Sequence, residues 1–141
     1  MTRPLLLLML LLVALPAGAV PPLTQTPGDA ENGRAVLLDR ERGHCLLCHQ
    51  VRQLADHRDG AFQGDIGTDL SDAGARLGAA YLRARVVDPT TMNPATVMPA
   101  YHRTQKLHAV APAYRNQPIL SAQEVEDLVA YLLTLQSTAD D

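Results

Sequence analysis

The clearest hydrophobic pattern in the chain lies near its end. Val125, Leu128, Val129, Leu132 and Leu133 fall at i, i+3, i+4, i+7 and i+8, which is one apolar stripe of a helix. Ser121 and Glu124 stand just ahead in the S-x-x-E order of a capping box. A second stripe, Leu77, Tyr81, Leu82 and Val86, predicts a helix over 72–87. Asp88-Pro89 ends it, because the residue before a proline avoids the helical region. A third helix is expected over 29–42, with Asp29 as N-cap, Ala35 to Leu38 as its apolar side and Gly43 as its stop. Gly33 interrupts its middle. Lacking a Cβ, Gly33 would let this helix cross the last one near Ala130 and Tyr131.

The remaining segments read as loops. Residues 56–68 carry Asp59-Gly60, Gly64 and Gly67. Pro94 and Pro99 keep TTMNPATVMPAYHRT, residues 90–104, out of any regular element. No two strand-like runs pair, and no internal repeat is present. The expectation is an all-α domain with long loops, and long loops in a compact domain need something to hold them.

The N-terminus sets the compartment. Arg3 precedes an unbroken apolar run from Leu5 to Leu15, too short for a stable membrane span. Ala17-Gly18-Ala19 then supplies small residues at cleavage spacing. Residues 1–19 read as a signal peptide, 20–28 as an extended proline-rich leader, 29–136 as the folded domain and 137–141 as a tail. No later stretch is apolar enough to span a bilayer, so the mature chain is expected in the periplasm.

The ~120 residues left fit one domain. A net charge of -3 and the lack of a basic patch exclude nucleic-acid binding. The chain has no Trp, and Phe62 is its one Phe, so its core is light in large side chains. A large buried cofactor would fill the deficit.

The chemistry is concentrated in RGHCLLCHQV, residues 42–51, which holds both cysteines of the chain. A metal knuckle, a redox dithiol and a haem attachment site all place two thiols three positions apart. Structural zinc needs four ligands, and no second Cys/His pair stands at suitable spacing. A thioredoxin-like dithiol follows a strand in a βαβ pattern, which is missing. A disulfide across two residues closes too small a loop to stabilise much.

C-x-x-C-H with an export signal is the pattern of c-type haem. Cys45 and Cys48 reach the two vinyl groups on one ring edge, and His49 turns beneath the ring to the iron. One covalently bound haem c is therefore expected. For the opposite face, Met98 is best placed, with Pro99 stiffening the backbone beside it; Met92 and His102 are the alternatives. A thioether ligand favours Fe(II), and two protein ligands leave no open position on the iron, so electron transfer is the expected role.

GHCLLCH, NPATVMPAYHRT, L-x-x-VAPAY and QPILSAQEVEDLVAYLLTL together resemble the SoxX family, over about residues 33–135. These are the monohaem cytochrome c subunits of SoxAX complexes of thiosulfate oxidation. The resemblance implies a class I cytochrome c fold, with thioethers at Cys45 and Cys48 and axial ligands His49 and Met98. It also implies SoxA as the partner, with an L-cysteine S-thiosulfotransferase activity that joins thiosulfate to a cysteine of the carrier SoxYZ. Such cytochromes usually have G-P-x-L after the haem motif, whereas this chain has Gly67-Thr68-Asp69-Leu70. The proline's carbonyl usually accepts the N–H of the haem histidine. The Thr68 carbonyl is expected to do the same, in a less stiff loop.

With both thiols bound to haem, the chain has no sulfur nucleophile. One haem also carries one electron, whereas forming an S–S bond oxidatively releases two. The catalytic thiol and a further electron path must come from the partner, and this chain would pass electrons to a downstream acceptor. A free-standing periplasmic electron carrier is the rival reading, and PILSAQEVED is long for a bare carrier.

Overall fold

The computed structural model describes residues 20–57 and 62–136. The expected signal peptide, the tail and residues 58–61 of the first long loop lie outside the described residues. Among the described residues there are four α-helices, α1 (Ala30–Leu38), α2 (Ala73–Arg76), α3 (Ala79–Val87) and α4 (Ala122–Thr134), with short 3-10 turns and no strand.

The last helix forms as its sequence predicts. Glu124 N–H donates to Ser121 Oγ at 3.2 Å, and Ser121 N–H donates to Glu124 Oε2 at 2.8 Å. Val125, Leu128, Val129 and Leu132 are buried, and Leu133 is partly so. They join Val36, Leu37, Val51, Leu54, Leu82, Val86 and Leu120 in one core.

The first helix begins at its expected cap, where the Asp29 carboxylate accepts the N–H groups of Glu31 and Asn32. It ends at Leu38 rather than at Arg42. Asp39 turns extended, and its carboxylate accepts Glu41 N–H and Arg42 Nε–H, both at 2.8 Å. Its carbonyl accepts His44 N–H at 2.8 Å. An aspartate with such local partners competes with the helix.

The helix expected over 72–87 is two helices. Leu77 is extended, and Gly78 caps α3. Two poor helix formers, Gly74 and Gly78, weaken the stretch. Gly74 is also committed elsewhere: its N–H donates to Leu135 O at 2.7 Å. Leu77 leaves the helix to pack on the core.

The crossing of α1 and α4 is present but sits earlier on α4 than the expected Ala130 and Tyr131. A Cβ on Gly33 would meet the Asp127 carbonyl oxygen at 1.9 Å and Leu128 N at 2.9 Å. The Asp127 carboxylate accepts Asp29 N–H at 2.8 Å, which draws the start of α1 to that turn.

α3 meets α4 through a buried ion pair. Arg83 Nε and Nη2 donate to the two Glu126 carboxylate oxygens at 2.7 and 2.8 Å. The leader, expected to be extended, bends at residues 23–26 and is laid over this pair: Arg83 Nη1 donates to Val20 O at 3.0 Å, and Leu23 N–H donates to Glu126 Oε1 at 2.9 Å. No helix among the described residues is long and apolar enough to cross a membrane.

Candidate functional site

The segment around the cysteines is a single tight turn. Cys48 N–H and His49 N–H both donate to Cys45 O, at 3.1 and 3.0 Å. His44 opens the turn in a left-handed conformation, φ 47°. The turn therefore presents Cys45, Cys48 and His49 from one short piece of backbone.

The loop that follows is built onto this turn through main-chain bonds. Gly64 N–H donates to Leu46 O at 2.8 Å, Gly67 N–H to Cys48 O at 2.7 Å, and Leu70 N–H to Gln50 O at 2.8 Å. A Cβ on Gly67 would lie 2.4 Å from His49 Cε1, so the imidazole packs on bare backbone. His49 Nδ1 lies 2.7 Å from the Thr68 carbonyl oxygen, the contact expected of that carbonyl. A carbonyl only accepts, so Nδ1 carries the proton and Nε2 keeps its lone pair for a metal.

His49 opens on an apolar cleft. Its deeper part, with about 860 Å³ free of protein atoms, is walled by Leu37, Leu70, Leu77, Leu82, Val86, Leu128 and Leu132. An adjoining part of about 690 Å³ reaches out past Cys48, Ile66, Val97 and Pro99. Cys45, His49, Thr68, Arg85, Met98 and Tyr101 border both. Burial in this apolar setting pushes the Cys45 thiol up to about 12, far from the thiolate of a redox dithiol. Burial also raises Tyr101, whose hydroxyl stays neutral and donates to Gly43 O at 2.8 Å.

The residues predicted from the sequence divide sharply. Cys45, Cys48, His49 and Met98 come together at the cleft. Met92 is exposed and borders neither part of it. His102 faces a separate groove, with Nδ1 2.8 Å from Leu120 O. No three His, Cys, Asp or Glu side chains among the described residues converge to hold a bare metal ion.

Two residues at the cleft had no role in the sequence reading. Tyr101 stood within the MPAY segment, where its spacing from Met98 was a usable signal. Arg85 gave none, since an arginine near a helix end ordinarily faces water.

An imidazole with Nε2 unengaged, two nearby thiols, a thioether and an apolar cleft are groups that fit a covalently held haem. The cytochrome c family model matches residues 30–136. The chain belongs to the cytochrome c family. Among solved structures it resembles a chain in the crystal structure of SoxXA from P. pantotrophus, with 34% sequence identity, a TM-score of 0.76, and coverage of 85% of this chain and 91% of that one. That likeness agrees with the SoxX resemblance read from the motifs. No curated protein matches.

Proposed function

We propose that this chain is the monohaem electron-transfer subunit of a SoxAX-type complex, exported to the periplasm and paired with a SoxA-type subunit. The complex would conjugate thiosulfate to a cysteine of a SoxYZ-type carrier. The observation that carries the haem reading is the His49–Thr68 bond, which orients an imidazole into an apolar cleft bordered on another side by Met98. The similarity to a SoxXA chain, over most of both chains, supports the choice among cytochromes.

Haem c would supply a one-electron Fe(III)/Fe(II) couple. The chain's own residues would hold and isolate it. Cys45 and Cys48 would anchor one ring edge as thioethers. His49 would donate Nε2 to the iron, its ring held by the Thr68 carbonyl and seated on Gly67. Met98 would supply a soft thioether to the iron, which would raise the potential relative to a bis-imidazole site. The apolar walls of the cleft would exclude water from the group. Neither cysteine would be left as a nucleophile, so the thiol chemistry of conjugation would lie in the partner.

A Soret band in the exported protein, with haem retained through denaturing electrophoresis, tests the haem. Co-purification of the native protein with a thiosulfate-dependent, SoxA-type partner tests the assembly. A haem protein that purifies alone would favour the free-standing carrier.

A further inference from the structure

The segment that carries Met98 is held to the rest of the protein only at its ends. Among the described residues, 94–100 make no hydrogen bond that leaves the loop. Thr96 N–H donates to Asn93 O at 3.1 Å, Ala95 N–H to Asn93 Oδ1 at 3.0 Å, and Met98 N–H to Thr96 Oγ1 at 3.2 Å. None of these residues is buried, although Met98 packs partly against the core. Before Met98 the chain is tied at Asn93, whose N–H donates to Pro89 O at 3.0 Å. After Met98 the first tie is Tyr101, three residues on.

Tyr101 is buried and anchored three ways. Its N–H donates to Val86 O at 3.1 Å, its carbonyl accepts Leu120 N–H at 2.9 Å, and its hydroxyl donates to Gly43 O at 2.8 Å. Gly43 is also buried, two residues before Cys45. The hydroxyl therefore joins the Met98 loop to the turn that presents Cys45, Cys48 and His49, across 58 positions of sequence. We propose that Tyr101 is the positioning residue for the Met98 sulfur, its bond to Gly43 fixing the methionine loop against the haem turn. This rests on the haem reading above, with Met98 on the iron. Ordering a loop costs backbone entropy at every residue, and a neutral thioether alone offsets little of it. A short tether to a buried anchor keeps the sulfur near its place, so Met98 and Tyr101 should leave as one unit. Without the hydroxyl, the buried Gly43 carbonyl loses its partner and the anchor loosens.

Carbon monoxide binding to the reduced, haem-loaded protein tests this, because its rate reads how often Met98 leaves the iron. In Tyr101→Phe, which keeps the ring and drops only the hydroxyl, the rate should rise several-fold. In the oxidised variant, the near-infrared band of His/Met ligation should vanish at a denaturant concentration where circular dichroism still shows folded helices. Asp29→Ala is the control. Asp29 caps α1 and borders neither part of the cleft. Losing a cap lowers overall stability about as much as losing a hydrogen bond. Asp29→Ala should therefore lower the unfolding midpoint and leave the carbon monoxide rate at the wild-type value.

A role in overall stability alone would raise the rate equally in both variants, or leave it unchanged in Tyr101→Phe; either result overturns the proposal. Should Tyr101→Phe fail to retain haem, native-state hydrogen exchange on the wild type decides. The Tyr101 and Leu120 amides, bonded to Val86 O and Tyr101 O, should lose protection together with the near-infrared band. A band lost while both amides stay protected overturns the proposal. A wild-type haem protein that lacks this band overturns the assignment of Met98 to the iron, and one with no Soret band overturns the haem reading; both are different failures.

Discussion

Gly33 and Asp127 touch backbone to backbone: the Cβ that any other residue would bring to position 33 falls 1.9 Å from the Asp127 carbonyl oxygen. That atom cannot rotate away, so a side chain there must part α1 from α4. Gly33→Leu should destabilise the protein by about 1–3 kcal/mol or more. Even Gly33→Ala should lower the thermal midpoint, although alanine is the better helix former by about 1 kcal/mol. Wild-type melting of the alanine variant would mean that the helices do not meet there.

His49 and Gly67 impose a similar demand at the cleft. Gly67→Ala should press on the imidazole and disturb its bond to Thr68. The expected outcome is a haem protein with altered axial ligation, read as a changed visible spectrum and a shifted potential. An unchanged spectrum and potential would show that the ring is not held by this contact.

Cys45→Ala and Cys48→Ala should each leave at most one thioether, with most of the chain as apoprotein or degraded. The double variant should release all haem in denaturing electrophoresis. Haem that survives there would refute the attachment.

Met98→Ala should remove the weak near-infrared band of His/Met ligation and lower the potential, because the soft ligand favouring Fe(II) is gone. The covalent haem should remain. His102 faces a separate groove, and Met92 lies away from the cleft, so the iron should open to carbon monoxide. Persistence of the His/Met spectrum would assign the ligand to Met92.

Arg83 and Glu126 should govern the acid limb of stability. The Arg83 hydrogen bonds hold the Glu126 carboxyl below its ordinary value. A depressed carboxyl contributes stability above its unfolded pKa, about 4.3, and loses it as pH falls through the folded value. Glu126→Gln should cost about 3–5 kcal/mol at neutral pH, since it strands a buried guanidinium. It should also flatten the loss of stability below about pH 4.3. Arg83→Met with Glu126→Leu should recover much of the neutral-pH loss. Chemical denaturation across pH reads both effects.

What the sequence revealed and what it hid follow from range. The last helix was legible because its cap and stripe are local: Ser121 and Glu124 are three apart, and the buried face repeats within the helix. The haem turn was legible because C-x-x-C-H places its groups within five residues. The early end of α1 depends on three bonds made by Asp39, which composition does not reveal. The break at Leu77-Gly78 was hidden by apolar residues that keep helical spacing across it. The Arg83–Glu126 pair spans 43 positions, and no pattern along a chain announces such a partner. Arg85 looks like a surface arginine until the fold turns it inward.

The loop over the haem turn is tied down by N–H and C=O groups from Gly64, Gly67, Leu70 and their partners. Such ties are blind to side-chain identity. The side chain of Thr68 is free to vary, because only its carbonyl is used. At Gly64 and Gly67, by contrast, the side chain has nowhere to go: a Cβ would strike Leu47 O at 2.0 Å or the His49 ring. A saturation scan of this stretch should therefore return Gly64 and Gly67 as intolerant, Leu70 as restricted to apolar residues because it walls the cleft, and position 68 as permissive. Chemistry can vary at position 68 while the path of the chain stays constant.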